Sequence, residues 1–213
     1  LVSSLWSLVS CQGGVSVFRM TGSSRVAVLV AVVAMVAAAG GGCARVPEDA
    51  GGAIVRRKLT VQFSVAGKIN PLYYYFIAIN ATGSSAAGPV PVVGLPWGNG
   101  WGTGEITHYV QFHLNNFGVF QFRPGTDLLS ADLLGTPFAF NQPEQPPGNV
   151  ISVTLDVDGT LGEDVHLVTM NLITTNRILV EPTFEGTKPY DALGVTGNDF
   201  VAIPLDISQT FSN

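Results

Sequence analysis

From Leu59 onward apolar residues return at every second position, and this rhythm constrains the fold more than any other feature of the chain. Leu59, Val61, Phe63 and Val65 alternate with Thr60, Gln62 and Ser64. Side chains along a strand point to opposite faces in turn, so this pattern is that of a half-buried strand. Residues 107–114 repeat it, with Val110, Phe112 and Leu114 set against Tyr109, Gln111 and His113. So do Ile151, Val153, Leu155 and Val157 against Ser152, Thr154 and Asp156. Residues 165–174 place Val168, Met170 and Leu172 on one face, and 178–180 and 200–207 read as two shorter strands. The segment 72–79 (LYYYFIAI) is apolar or aromatic on both faces, which predicts a central strand covered on each side.

Turn chemistry separates these segments. Asn115-Asn116 is a turn signal, with 119–122 returning as the hairpin partner, and Asp158-Gly159 reads first as a second hairpin turn. No segment keeps a helical period over three turns. The best candidate, 127–134, has Leu128, Leu129, Leu133 and Leu134 and suits one or two turns. The Gly/Pro-rich stretches 83–104, 135–149 and 182–199 read as loops. Some eight short strands in this length predict an all-β antiparallel sandwich, with a closed or partly closed barrel as the alternative. Its expected core is Phe63, Tyr75, Ile77, Phe112, Phe120, Phe122, Val153, Leu155, Met170, Leu172 and Ile203.

The N-terminal part follows other rules. From Met20 the chain reads MTGSSRVAVLVAVVAMVAAAGGGC: a basic residue, Arg25, an uncharged run from Val26 to Ala39, three glycines, then Cys43. That order is an export signal, and the run is short for a spanning helix, which needs about 20 apolar residues. A cysteine directly after small residues resembles the lipobox of bacterial lipoproteins, although Gly40 stands where that family has a branched apolar residue. The resemblance implies acylation of Cys43, removal of the preceding peptide and attachment to a membrane of the cell envelope. An uncleaved anchor and ordinary signal-peptidase cleavage within AAAGGG are the alternatives. Residues 1–19 are expected to be an over-extended gene start, 20–43 the signal with its acylation site, 44–56 a flexible tether, and 57–213 one sandwich domain. YYYF followed by PWGNGWGTG and a late TTNR resembles uncharacterised predicted lipoproteins of environmental bacteria, a likeness that implies no activity.

Composition narrows the partners. After Cys43 the chain has eight Lys/Arg against fifteen Asp/Glu, a net −7. There is no basic stripe, which argues against nucleic acid and against an anionic membrane surface. With only Cys11 and Cys43, the domain has no disulfide, thiolate nucleophile or cysteine metal site, and no cofactor is implied.

The most unusual stretch is 88–104, GPVPVVGLPWGNGWGTG. Trp97 and Trp101 on a rigid Gly/Pro loop offer indole faces for a sugar ring or an envelope protein, with Asn99, Thr103 and Glu105 as hydrogen-bonding neighbours. The competing reading folds both indoles back to plug the open end of the sandwich, because so much apolar area is costly to leave in water. Tyr73 and Tyr75 share one strand face and Tyr74 the other, which suits core packing better than a binding stripe.

Asp156, Asp158, Glu163 and Asp164 surround a turn and form a weak calcium candidate, but Gly159 falls at the wrong position for an EF-hand loop. His108 and His113 lie five apart on one strand, on opposite faces, and share no metal. Asn80-Ala81-Thr82 matches a glycosylation sequon but reads as a turn. No nucleophile, zinc or phosphate-loop motif occurs, so no catalytic residue is assigned. The expectation is a lipid-anchored envelope module that binds a partner or glycan, or serves structurally. The alternative is an envelope polysaccharide hydrolase using acids such as Glu105 and Asp127.

Overall fold

The strands assemble into two main antiparallel sheets that pack face to face, with a separate two-stranded ribbon, in a computed structural model that describes residues 56–143, 145, 148–178, 181 and 183–210. Cys43, the apolar run and the tether up to residue 55 lie outside the described residues, as do Leu179 and Val180 of the expected strand at 178–180. Ile178 itself sits in a bend.

The smaller sheet has the order β1 (Lys58–Ser64), β9 (Val150–Asp156), β8 (Ala139–Phe140). The larger has seven strands. Its main path is β11 (Tyr190–Ala192), β10 (Leu167–Thr175), β2 (Tyr74–Asn80), β5 (His108–His113), β6 (Asn116–Phe122) and β7 (Ala131–Gly135). β12 (Val201–Pro204) also pairs with β10. Among the described residues the sheets do not close on each other as a barrel. The sandwich expectation therefore holds over the barrel.

The alternation seen in the sequence becomes the core. Leu59, Val61 and Phe63 of β1 and Ile151, Val153 and Leu155 of β9 meet Tyr75, Ile77, Ile79, Val110, Phe112, Val168, Met170 and Leu172 between the sheets. β2 lies in the middle of its sheet with both faces buried, as LYYYFIAI predicts, but it begins at Tyr74: Leu72 and Tyr73 lie in the preceding turn and are exposed. Tyr75 joins this core, and its hydroxyl accepts a hydrogen bond from Asn70 N at 2.9 Å.

The opposite face of β2 holds a second cluster. Phe76, Ala78, Tyr109, Phe122 and Ile173 pack there under Trp101 and Ile106. The molecule thus has three layers: a small sheet, a large sheet, and a layer of loops over the large sheet's far face. Of the expected core only Phe120 remains partly exposed, stacked on Tyr109 at 4.8 Å.

Several local expectations are corrected. The β5–β6 hairpin turns at Leu114-Asn115, one residue before the Asn-Asn signal, with φ of 49° and 63°. Pairing Phe112 with Phe117 on the inner face sets this register, and both turn residues then take the left-handed values of a tight hairpin. Residues 127–134 form no helix. Asp127 and Leu128 have φ of 48° and 60°, which ends any helical run, and the chain continues as β7 along β6. Asp158-Gly159 is not a hairpin turn either. It lies in a single helical turn, α1 (Val157–Thr160), that carries the chain from the small sheet to the large one. Asp156 caps it, accepting from Gly159 N at 3.2 Å.

The stretches read as loops also contain strands. β3 (Pro89–Pro91) and β4 (Gly102–Gly104) form a two-stranded ribbon, and β8 and β11 lie in the other two. Their Gly and Pro content hides them, since a strand whose prolines cannot donate has no ordinary strand signature.

Candidate functional site

The ribbon β3–β4 and its tip carry every residue of the 88–104 candidate. Val92 N donates to Trp101 O at 3.0 Å, Gly100 N donates to Trp97 O at 2.7 Å, and Asn99 Oδ1 accepts from both Trp101 N and Gly102 N at 2.9 Å. Leu95-Pro96 is a cis peptide. This local bonding makes the tip a rigid unit. Two glycines are obligatory: Gly104 at φ 78° lies against the Gly88 carbonyl, and a Cβ on Gly100 at φ 81° would collide with the Ile178 carbonyl oxygen.

Both indoles turn inward, each only 4% exposed. Trp101 stacks on Phe76 with ring centroids 4.0 Å apart and planes 8° from parallel, and its ring lies 5.0 Å from that of Tyr109 and 6.1 Å from that of Phe122. Trp97 donates from Nε1 to Phe184 O at 2.8 Å and lies 5.8 Å from the Phe184 ring. Neither indole face is open to a ligand. The plug lies over the far face of the large sheet rather than at the end of the sandwich. Thr103, Glu105, Val93 and Leu95 remain exposed. Asn99 is half-buried, and its Nδ2 is enclosed without a partner.

The loop layer is held by polar side chains that rise from the sheet. Asn80, Thr169 and Asn171 are fully buried. Asn80 Nδ2 donates to Ala87 O at 3.2 Å and to Glu105 Oε2 at 3.1 Å, and Thr169 Oγ1 donates to Ala87 O at 3.0 Å. Asn171 donates to Pro89 O and Gly197 O and accepts from Leu193 N. Asn80 Oδ1 also accepts from Thr82 N, so the sequon asparagine is a turn residue whose amide is already engaged. Of the two acids named for the hydrolase expectation, Glu105 accepts from this amide and Asp127 is exposed in the β6–β7 turn.

Lys188 is the feature that sequence reasoning missed. It is 4% exposed, and its ammonium donates to Gly100 O and, at 3.3 Å, to Arg177 O, 5.9 Å from the Trp97 ring centre. Burial, aided by the Arg177 charge, lowers its pKa to about 8. A single lysine in KPY has no motif around it, so no sequence signal marks it. Its folded pKa lies below the unfolded 10.5, so the unfolded state binds the extra proton between these values. Stability held down by the buried charge should therefore rise as pH increases from about 8 towards 10.5. Denaturant midpoints across that range should climb in the wild type relative to Lys188→Met, and parallel profiles would contradict this role.

Arginine side chains organise the acidic turn. Arg56 Nη1 lies 2.8 Å from Asp156. Asp158 accepts from the Arg57 backbone N–H at 2.9 Å and from its Nε at 2.7 Å. The same guanidinium donates to Glu163 O at 2.6 Å and Val165 O at 2.7 Å. It thus meets the carboxylate and carbonyl oxygens that a cation would require. These contacts hold both aspartates below the usual carboxylate range, Asp156 chiefly through the Arg56 side chain and Asp158 chiefly through the Arg57 backbone N–H. Glu163 and Asp164 stay exposed, and among the described residues no three potential ligands converge on a metal position.

His113 stacks on Tyr74 at 3.7 Å on the loop-covered face, while alternation sends His108 to the other. Burial lowers the His108 pKa to about 4, so it is neutral at ordinary pH. No protein-family model, curated protein or solved structure matches this chain.

Proposed function

We propose that this chain is an exported, lipid-anchored protein of the bacterial cell envelope whose domain works as a binding or structural module. The anchor reading rests on Cys43 following the run Val26–Ala39 and three glycines. The module reading is carried by one observation: buried Asn80 and Thr169 hold the Ala87 carbonyl where the ribbon begins, Asn171 holds Pro89, and Lys188 holds Gly100 at its tip. The ribbon therefore presents Thr103 and Glu105 on a stiff edge, with its indoles spent on internal packing. A rigid polar edge suits contact with a glycan or an envelope protein, because little ordering entropy is lost on binding.

Two measurements test this. Radiolabelled palmitate should enter the wild-type chain and be lost in Cys43→Ser; label that survives the substitution removes the anchor. The purified protein should co-sediment with insoluble envelope polysaccharide, and Thr103→Ala with Glu105→Gln should weaken that without lowering stability. Release of new reducing ends, abolished by Glu105→Gln, would replace binding with hydrolysis.

A further inference from the structure

β1, the terminal strand of the small sheet, is open along its whole outer edge. Val157 N donates to Arg57 O and Val65 N donates to Asn149 O, both at 2.9 Å, so the odd-numbered residues of β1 turn their backbone groups to β9. The even-numbered ones, Lys58, Thr60, Gln62 and Ser64, turn theirs outward. None of these N–H or C=O groups has a backbone partner among the described residues. The strand is regular, seven residues without proline, glycine or bulge. The other terminal strands are guarded. β8 has two residues and β11 three, β12 ends in Pro204, and β7 carries a register shift and Gly135 at φ 138°. An unguarded edge as long as β1 is a template for another strand.

We infer that β1 pairs with the β1 strand of a second copy of this chain, antiparallel across a two-fold axis at Val61, so that the two small sheets become one. The edge complements itself. About that axis Thr60 faces Gln62 of the partner subunit, and Lys58 faces Ser64 of the partner subunit. Each of the four outward residues offers one donor and one acceptor, and the two strands together close about eight hydrogen bonds. Opposed residues of an antiparallel pair share a face, so Thr60 and Gln62 stay outside. Leu59, Val61 and Phe63 then meet their counterparts on the core side, and the apolar row buried in one copy runs on into the next.

The charges at this edge permit the contact. After Cys43 the chain is net −7, so two copies repel each other on average. β1 contains no acid, and the one acid of β9, Asp156, is paired with Arg56 at 2.8 Å. The one charged residue of the strand, Lys58, lies at its first position and meets a neutral serine rather than another lysine. A second copy supplies a strand of matching length, alternation and neutral outer side chains without any further sequence.

Sedimentation of the full chain in density-matched detergent should show a monomer–dimer equilibrium. Gln62→Pro deletes an outward N–H and leaves the bonds to β9 in place. It should raise the dissociation constant about tenfold or more, one hydrogen bond being lost from each copy, with the melting profile kept. Two charge variants separate this from a folding defect. Thr60→Lys/Gln62→Lys and Thr60→Glu/Gln62→Glu should each be monomeric, and their mixture should form a one-to-one heterodimer in which every introduced lysine faces a glutamate. A wild-type chain that stays monomeric overturns the inference and leaves the edge to a strand of a different protein. A dimer that all three variants leave unchanged, or charge variants that fail to recombine, overturns it as well and places the contact elsewhere on the chain.

Discussion

Trp101→Ala should lower the stability of the domain by about 3–5 kcal/mol, the range seen when a large aromatic is truncated in a packed interior. The indole is 4% exposed and lies flat on Phe76, with Tyr109 and Phe122 around it. Removing it opens a cavity beneath the ribbon, and the ribbon cannot collapse to fill it because Lys188, Asn171 and Asn80 hold it at a set height. That is why the upper part of the range is expected. Urea midpoints at constant slope check the value, and a midpoint within experimental error of wild type would return Trp101 to the surface as a recognition residue. The same burial predicts blue-shifted tryptophan emission from the folded domain, poorly quenched by acrylamide.

Asn171→Leu should cost about 3 kcal/mol or more, although it replaces a polar side chain with an apolar one of similar size in the middle of a sheet. Asn171 is fully buried and satisfies three backbone groups: Pro89 O at 3.0 Å, Gly197 O at 3.3 Å and Leu193 N at 3.1 Å. Each buried group left without a partner costs about 1–3 kcal/mol, and leucine satisfies none of them. The loss should be local before it is global. Amide exchange at Leu193 and along 88–104 should quicken while β2 and β5 remain protected. Uniform protection with unchanged stability would mean that the loops are held by their own packing.

The difference between these two positions shows what was legible in the sequence. Alternation at β1, β5 and β9 determined the strands, their buried phase and the sandwich, because a strand repeats every two residues and one face must avoid water. LYYYFIAI determined that β2 would be central, since only a strand covered on both faces tolerates such a run. The mass of the two indoles, set among Val90, Val92, Val93 and Leu95, was enough to raise burial as a reading. The cover over the far face was not legible. Thr169 and Asn171 alternate with Val168, Met170 and Leu172 just as solvent-facing residues would. A polar side chain beneath a loop and one beneath water present the same pattern. Only the tertiary structure decided between them, by bringing carbonyls more than eighty residues away in the chain, at Ala87 and Pro89, onto those side chains. The same reason hid Lys188 and the arginine-filled acidic turn. Hydrogen bonds and ion pairs act over a few ångströms of space whatever the separation along the chain, whereas alternation is a local property that a sequence displays directly.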